Sequence, residues 1–125
     1  MIFGHVNPYR EAIVQFVVIG KNQQRKSIKA IIDTGYSGSL ILPSEMIEEL
    51  DLICYATQEG VLGNGSVHQF NVHEASVIWD GKVQSIEINS AEAGPLVGMG
   101  LLEGYEVRIE SVTGGDVTIQ SLSDR

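Results

Sequence analysis

Hydrophobic and polar residues alternate over short segments of the chain, and several of its 14 glycines lie between these segments. Residues 12–19 form an apolar run rich in β-branched and aromatic side chains, which is typical of a strand buried on both faces. Ile28, Ala30 and Ile32 share one face of a second predicted strand. The pattern therefore predicts a mainly β protein.

Glycine-containing turns in the second half of the chain predict two hairpins. The first covers residues 55–70 and turns at residues 62–66, where Asn64-Gly65 supplies the positive φ of a tight turn. The second pairs residues 72–79 with residues 83–88 across Asp80-Gly81. Short strands are also expected at residues 96–97, 107–109 and 117–119.

One sizeable helix is expected between the strands, over residues 44–50. Pro43 suits a helix start, and Met46, Ile47 and Leu50 form one apolar stripe. A single helical turn is expected after Gly98.

Length and charge narrow the class of protein. A chain of 125 residues, 43% of them hydrophobic, suits a single domain over residues 1–125 with a core that needs no disulfide or metal. Eight basic and sixteen acidic residues give a formal net charge of −8 at pH 7, which repels nucleic-acid phosphates and anionic lipid. We therefore expect no nucleic-acid partner and no membrane partner.

Three features favour a cytoplasmic location. The longest apolar run is far shorter than the roughly 20 residues that cross a bilayer. The first residues lack the basic and then apolar pattern of a secretory signal. The single cysteine, Cys54, forms no internal disulfide, which suits a reducing compartment.

The segment with the clearest chemical content is residues 31–41, with the sequence Ile-Ile-Asp-Thr-Gly-Tyr-Ser-Gly-Ser-Leu-Ile. Asp33 directly follows a predicted buried strand, and Thr34 and Gly35 open a loop of small residues. A carboxyl group placed there is a candidate for acid–base chemistry. The same residues also fit an ordinary Asp turn, in which the side chain accepts a hydrogen bond from the backbone two residues on.

Three segments in sequence order resemble the retropepsin-like aspartic proteases, which act as homodimers. The first is the Asp-Thr-Gly motif with residues 37–41, which looks like the bacterial version of the active-site loop. The second is the glycine-tipped hairpin at residues 62–66, where this family carries its flap. The third is Pro-Leu-Val-Gly-Met-Gly-Leu-Leu at residues 95–102, which is similar to the family's apolar-apolar-Gly motif before a short helix. The resemblance covers about residues 12–119 and implies a closed or half-barrel of antiparallel strands with one short helix.

The resemblance implies an aspartic endopeptidase with Asp33, Thr34 and Gly35 at its catalytic centre. Only one Asp-Thr-Gly occurs in the chain, whereas water activation needs both a general base and a general acid. In a two-fold dimer, two Asp33 carboxyl groups about 3 Å apart share one proton and supply both roles. The expected partners are a peptide or protein substrate and a second copy of the chain, with no cofactor and no metal.

The resemblance also implies a set of residues that contact the substrate. The flap and cleft residues expected to do so are Leu62, Gly63, Asn64, Gly65, Ser37, Leu96 and Val97. A plain surface hairpin is the alternative for residues 62–65, and core packing accounts equally well for residues 96 and 97.

Several positions depart from the family pattern. Tyr36 stands where the family more often has a small residue, so its ring either narrows the cleft or packs against the helix. Ser37 and Met99 replace an Asp–Arg ion pair that helps to bind the retroviral dimers, and Gly100 replaces an acidic or amide residue. Because both partners of the ion pair are absent together, no unpaired charge is left. The dimer then needs other contacts.

Other catalytic and metal motifs fit the sequence less well. Gly-Tyr-Ser-Gly-Ser at residues 35–39 ends in Ser39, where a nucleophile elbow has glycine. His68 and His73 are five residues apart, which places them on opposite faces of an extended segment. Surface histidines and a buried Cys54 thiol are the simpler expectation.

Two further functions stay open beside the endopeptidase. The same fold can serve, as an inactive dimer, as a binding or assembly module, which Tyr36 and the missing ion pair favour. A monomeric β domain that binds peptides is the third possibility.

Overall fold

The computed structural model describes residues 1–61 and 63–124, which form ten strands, two short α-helices and one 3-10 turn. The strands are β1 (Ile2–Val6), β2 (Ala12–Ile19), β3 (Arg25–Ile32), β4 (Leu40–Leu42), β5 (Cys54–Val61), β6 (Val67–Trp79), β7 (Lys82–Ser90), β8 (Leu96–Val97), β9 (Tyr105–Ile109) and β10 (Asp116–Ser121). The helices are α1 (Ser44–Glu49) and α2 (Met99–Leu102), and the 3-10 turn is Leu122–Asp124. Within the described ranges, neither helix is long and apolar enough to cross a membrane.

Six of the strands close into a barrel. They follow one another in the order β6, β7, β4, β8, β3 and β2, and β2 pairs back to β6 through contacts such as Val18 with Val77. Strands β1, β10 and β9 extend the sheet from β2, and β5 is an edge strand beside β6. The mainly β barrel expected from the sequence is therefore confirmed in its closed form.

Strand β2, expected from its apolar run to be buried on both faces, is fully buried only at part of its positions, because it lies at the barrel wall with one face toward the core. Val14, Phe16 and Val18 of β2 are buried, whereas Gln15 between them is exposed. Phe16 meets the buried Trp79 edge to face, with ring centroids 5.2 Å apart. Burial of these alternating side chains fixes the register, because a slip by one residue would turn the apolar set outward.

Strand β6 is longer than the sequence predicts. The expected end of the first hairpin and start of the second merge into one strand, Val67–Trp79. Its first part pairs with β5, and its second part pairs with β7 and β2. Asn71, which lies between the two predicted hairpins, pairs with Thr57 inside the strand, because pairing with neighbouring strands outweighs a weak local preference.

Two parallel pairings were also not predicted. The short strand β8 lies between β3 and β4, parallel to β3 and antiparallel to β4. Strand β4 is in turn parallel to β7. Such pairings join residues far apart in sequence, and neither turn signals nor periodicity reveal them. Because β8 lies between β3 and β4, loop 33–39, which joins these two strands, passes over the end of β8.

Backbone hydrogen bonds hold loop 33–39 against the segment that follows β8. The Gly98, Met99 and Gly100 N–H groups donate to carbonyl oxygens of Ser39, Tyr36 and Gly38, at 3.0, 2.8 and 2.9 Å. A Cβ atom on Gly98 would collide with the Gly38 carbonyl oxygen and with the Tyr36 ring. Glycine at position 98 is therefore required by the close approach of two backbones.

We expect Gly98→Ala to lower the free energy of unfolding by about 1–3 kcal/mol, because the added methyl forces one backbone segment away from the other. Gly94→Ala is the matched control, since a Cβ atom there meets no neighbour within 4 Å. Urea denaturation at one fixed protein concentration measures both variants. Equal stability of the two would show that the close packing at Gly98 is not needed.

Candidate active site

Asp33 is the first residue after β3 and is half-buried. Its backbone N–H donates to the Val97 carbonyl oxygen at 2.8 Å, which ties the residue to β8. Its Oδ1 atom accepts a hydrogen bond from the Gly35 N–H at 2.9 Å. The Asp turn that the sequence allowed is thus present, and it fixes the orientation of the carboxyl group. Among the described residues, none donates to Oδ2 of Asp33.

The two residues that follow Asp33 in the motif are on the surface. Thr34 and Gly35 are exposed, and within the described ranges the Thr34 hydroxyl makes no hydrogen bond. Ser37 is exposed as well. One side of loop 33–39 therefore faces solvent, whereas the other is bound to the segment after β8.

Tyr36 anchors the same loop to β7, the strand that pairs with β4. Its hydroxyl donates to Oδ1 of Asn89 in β7 and lies 3.5 Å from the Leu40 carbonyl oxygen. Its ring packs against Gly38 and against Gly98, immediately before α2. Burial, with a smaller contribution from the negative charge of Glu87, raises the pKa of Tyr36 to about 12. The phenol therefore stays a donor throughout the ordinary pH range.

A polar cavity of about 480 Å³ opens beside the loop. Strands β5 and β7 and helix α2 complete its wall, so part of the first hairpin and loop 33–39 border one space. Its polar lining includes Ser37, Ser39, Gln58, Gln84, Glu87 and Asn89. The sequence alone does not distinguish Gln58, Glu87 or Asn89, because polar residues on an alternating strand usually just mark its solvent-facing side.

The predicted flap tip lies at the end of this hairpin. Gly63, Asn64 and Gly65 are exposed, and Gly65 has a φ of 84°, the positive value that the turn needs. Asn64 Oδ1 accepts hydrogen bonds from the N–H and hydroxyl of Ser66. Leu62, also predicted to contact substrate, lies outside the described residues. Within them, no hydrogen bond joins the tip to loop 33–39, and the flap role stays a prediction.

The two predicted cleft residues of β8 differ in burial. Leu96 is half-buried, whereas Val97 is fully buried in the barrel core. Core packing, the alternative given for both, therefore accounts for Val97. A contact between Leu96 and a substrate stays a prediction.

The expected burial of Cys54 and the histidines needs correction. Cys54 is exposed, because it begins the projecting edge strand β5. His73 is buried, because it lies where β6 enters the barrel between β5 and β7, whereas His68 is exposed. Across residues 1–61 and 63–124, no three His, Cys, Asp or Glu side chains group in a way that would hold a metal ion.

We expect the stability difference between the wild type and Tyr36→Phe to shrink as the pH rises from 10 to 12. Folding raises the Tyr36 pKa from 10.0 to about 12. Between these pH values the folded wild type keeps a proton that its unfolded state has lost, so its free energy of unfolding falls as the pH rises. Phenylalanine has no such proton. Urea denaturation at several pH values measures the difference, and a constant gap would contradict the buried phenol.

The comparisons with known proteins find similarity in structure. No protein-family model matches the chain, and no curated protein matches it in sequence. The structure of a retropepsin-like aspartic protease from Rickettsia conorii is similar, with a TM-score of 0.60, 20% identity, and coverage of 96% of this chain and 92% of that one. The EIAV protease in complex with the inhibitor HBY-793 is similar too, with a TM-score of 0.52, 15% identity, and coverage of 71% of this chain and 84% of that one.

These likenesses agree with the mainly β architecture and its closed six-stranded barrel. The chain therefore has a retropepsin-like fold.

Proposed function

We propose that this chain is an aspartic endopeptidase that acts as a homodimer through one Asp33 from each copy. The observation that carries the proposal is the position of Asp33. It lies directly after β3 in a retropepsin-like fold, and a backbone N–H orients one of its oxygens while the other has no donor among the described residues. One solved structure of similar fold is that of a retropepsin-like aspartic protease, and another is that of the EIAV protease bound to an inhibitor.

The need for a second copy follows from the chemistry of peptide hydrolysis. One group must take a proton from the attacking water, and another must donate a proton to the carbonyl oxygen or the leaving amine. The chain has a single Asp-Thr-Gly motif. Two Asp33 carboxyl groups brought close together cannot both ionise, so one is the base and the other the acid. Their titration then belongs to the pair and not to either residue.

The water bound between the two carboxyl groups attacks the peptide carbonyl carbon. Its proton goes to the ionised Asp33, and the protonated Asp33 donates to the carbonyl oxygen. Collapse of the tetrahedral intermediate breaks the C–N bond, and the amine leaves with a proton from the pair. No cofactor is needed for this step, because the substrate and water supply all the atoms that end in the products.

The substrate is a peptide in extended conformation between loop 33–39 and the hairpin of β5 and β6. An extended chain offers its N–H and C=O groups to the backbone of a covering hairpin. The exposed turn of Gly63, Asn64 and Gly65 suits such a cover, since glycines permit close approach and movement.

The dimer needs contacts that do not depend on an ion pair at positions 37 and 99. Ser37 is exposed, and the Met99 side chain keeps 49% of its surface accessible in the single chain. Thr34 is exposed beside Asp33, where a two-fold axis would bring it near its own copy. These uncharged groups associate without the desolvation cost of buried charges.

We expect Asp33→Asn to lower kcat for peptide cleavage about 100-fold or more, since an amide cannot exchange the shared proton. The shape of the side chain is kept, so folding and dimerisation remain. Cleavage of a mixed peptide library, followed by mass spectrometry over acid to neutral pH, measures the effect.

Asp51→Asn is the matched control for this experiment. Asp51 is exposed and far along the chain from the motif, and asparagine tolerates its positive φ of 52°. The control keeps wild-type activity. Undiminished cleavage by Asp33→Asn would exclude the proposed mechanism. A wild type that forms dimers but cleaves no library peptide would favour the binding or assembly module.

A further inference from the structure

The cavity beside loop 33–39 contains a carboxylate that the proposed reaction does not use. Glu87 of β7 lines it and is exposed to solvent there. Within the described part of the chain, Glu87 has no ion-pair partner, and none of the lining residues is Lys or Arg. Its negative charge therefore faces the cavity without a cation.

One neighbouring side chain, Tyr55, holds this carboxylate by a hydrogen bond. The Tyr55 hydroxyl in β5 donates to Oε1 of Glu87 at 3.0 Å. The pKa of Tyr55 is raised, mainly by partial desolvation and, to a smaller extent, by the hydrogen bond to Glu87 and its negative charge. The same charge contributes to the raised pKa of Tyr36, after the larger effect of burial. Two phenols on different elements thus both experience the negative charge of Glu87.

The rest of the cavity is suited to a polar side chain. The amides of Gln58 and Gln84 and the hydroxyls of Ser37 and Ser39 border it, and they can accept hydrogen bonds from an ammonium or a guanidinium group. Its volume of about 480 Å³ is within the roughly 300–1,000 Å³ typical of ligand sites. A whole long side chain therefore fits beside the loop.

The geometry points to a substrate subsite in this cavity that accepts a Lys or Arg side chain of the bound peptide, with Glu87 as its specificity-determining residue. The inference rests on the proposed endopeptidase function. Ser37 lines the cavity, whereas Asp33, four residues earlier in the same loop, does not. The basic side chain of the peptide would therefore be close to the cleaved bond without belonging to it. A charge-assisted hydrogen bond to a fixed carboxylate is about twice as strong as a neutral one, which gives the preference its physical basis.

Peptides that differ at one position test the inference. Each carries Lys or the uncharged norleucine, moved through the positions on both sides of the cleaved bond, and all are assayed at one fixed pH near 6. For the wild type we expect kcat/KM for the Lys peptide to exceed that for the norleucine peptide about fivefold at one or two positions. In Glu87→Gln we expect this ratio to fall to near one.

Two further variants separate specificity from folding. Glu48→Gln makes the same change on the exposed side of α1 and keeps the wild-type ratio. Glu87→Lys reverses the charge and is expected to prefer a Glu peptide over a Lys peptide, a gain that misfolding cannot produce. A Lys preference unchanged in both Glu87 variants would overturn the inference.

A binding measurement distinguishes failure of the subsite from failure of the proposed enzyme. Fluorescence anisotropy of labelled Lys and norleucine peptides with Asp33→Asn reports affinity without cleavage. Tighter binding of the Lys peptide, lost on adding Glu87→Gln, supports the subsite even where the wild type cleaves nothing. Equal binding of the two peptides, or cleavage by the wild type with no preference for Lys at any position, would overturn the subsite and leave the proposed hydrolysis intact.

Discussion

The close packing of loop 33–39 on the segment after β8 is the constraint on which the rest of the structure depends. Backbone meets backbone there through three hydrogen bonds, and only glycine at position 98 leaves room for them. The same arrangement lets β8 lie between β3 and β4 and so completes the six-stranded barrel. The Asp33 N–H, which donates to the Val97 carbonyl oxygen, ties the carboxyl-bearing residue to the same strand β8.

Tyr36 adds a second attachment for the loop. Its hydroxyl reaches Asn89 on β7, and its ring fills the space that Gly38 and Gly98 leave. The large Tyr36 side chain, at a position where the retropepsin-like family more often has a small residue, therefore supports the loop through its contacts with β7 and with Gly98. With the loop held on this side, the Asp33 carboxyl group and the exposed Thr34 and Gly35 remain on the other, where the proposed partner copy and substrate meet them.

The sequence predicts what local patterns determine. A continuous apolar run predicted β2, alternation predicted β3, and the apolar stripe beginning at Met46 predicted α1. The Asp-Thr-Gly motif and the two segments after it in sequence led to the fold that the structure confirms. Strand β1 was missed, since Gly4 lies at its centre and Phe3 is exposed, which hides the alternation. The pairing of β4 with β7, and with it the Tyr36–Asn89 contact and the place of Glu87, depends on residues distant in sequence. No periodicity contains that information.

The central claim, that catalysis needs an Asp33 from each of two chains, is tested most directly by mixing subunits. A fixed amount of wild type is incubated with rising amounts of Asp33→Asn until the subunits exchange, and energy transfer between labelled copies verifies that mixed dimers form. The account predicts that activity falls towards zero as wild-type chains enter mixed dimers, which lack one of the two carboxyl groups. Constant activity in the presence of proven mixed dimers would contradict it.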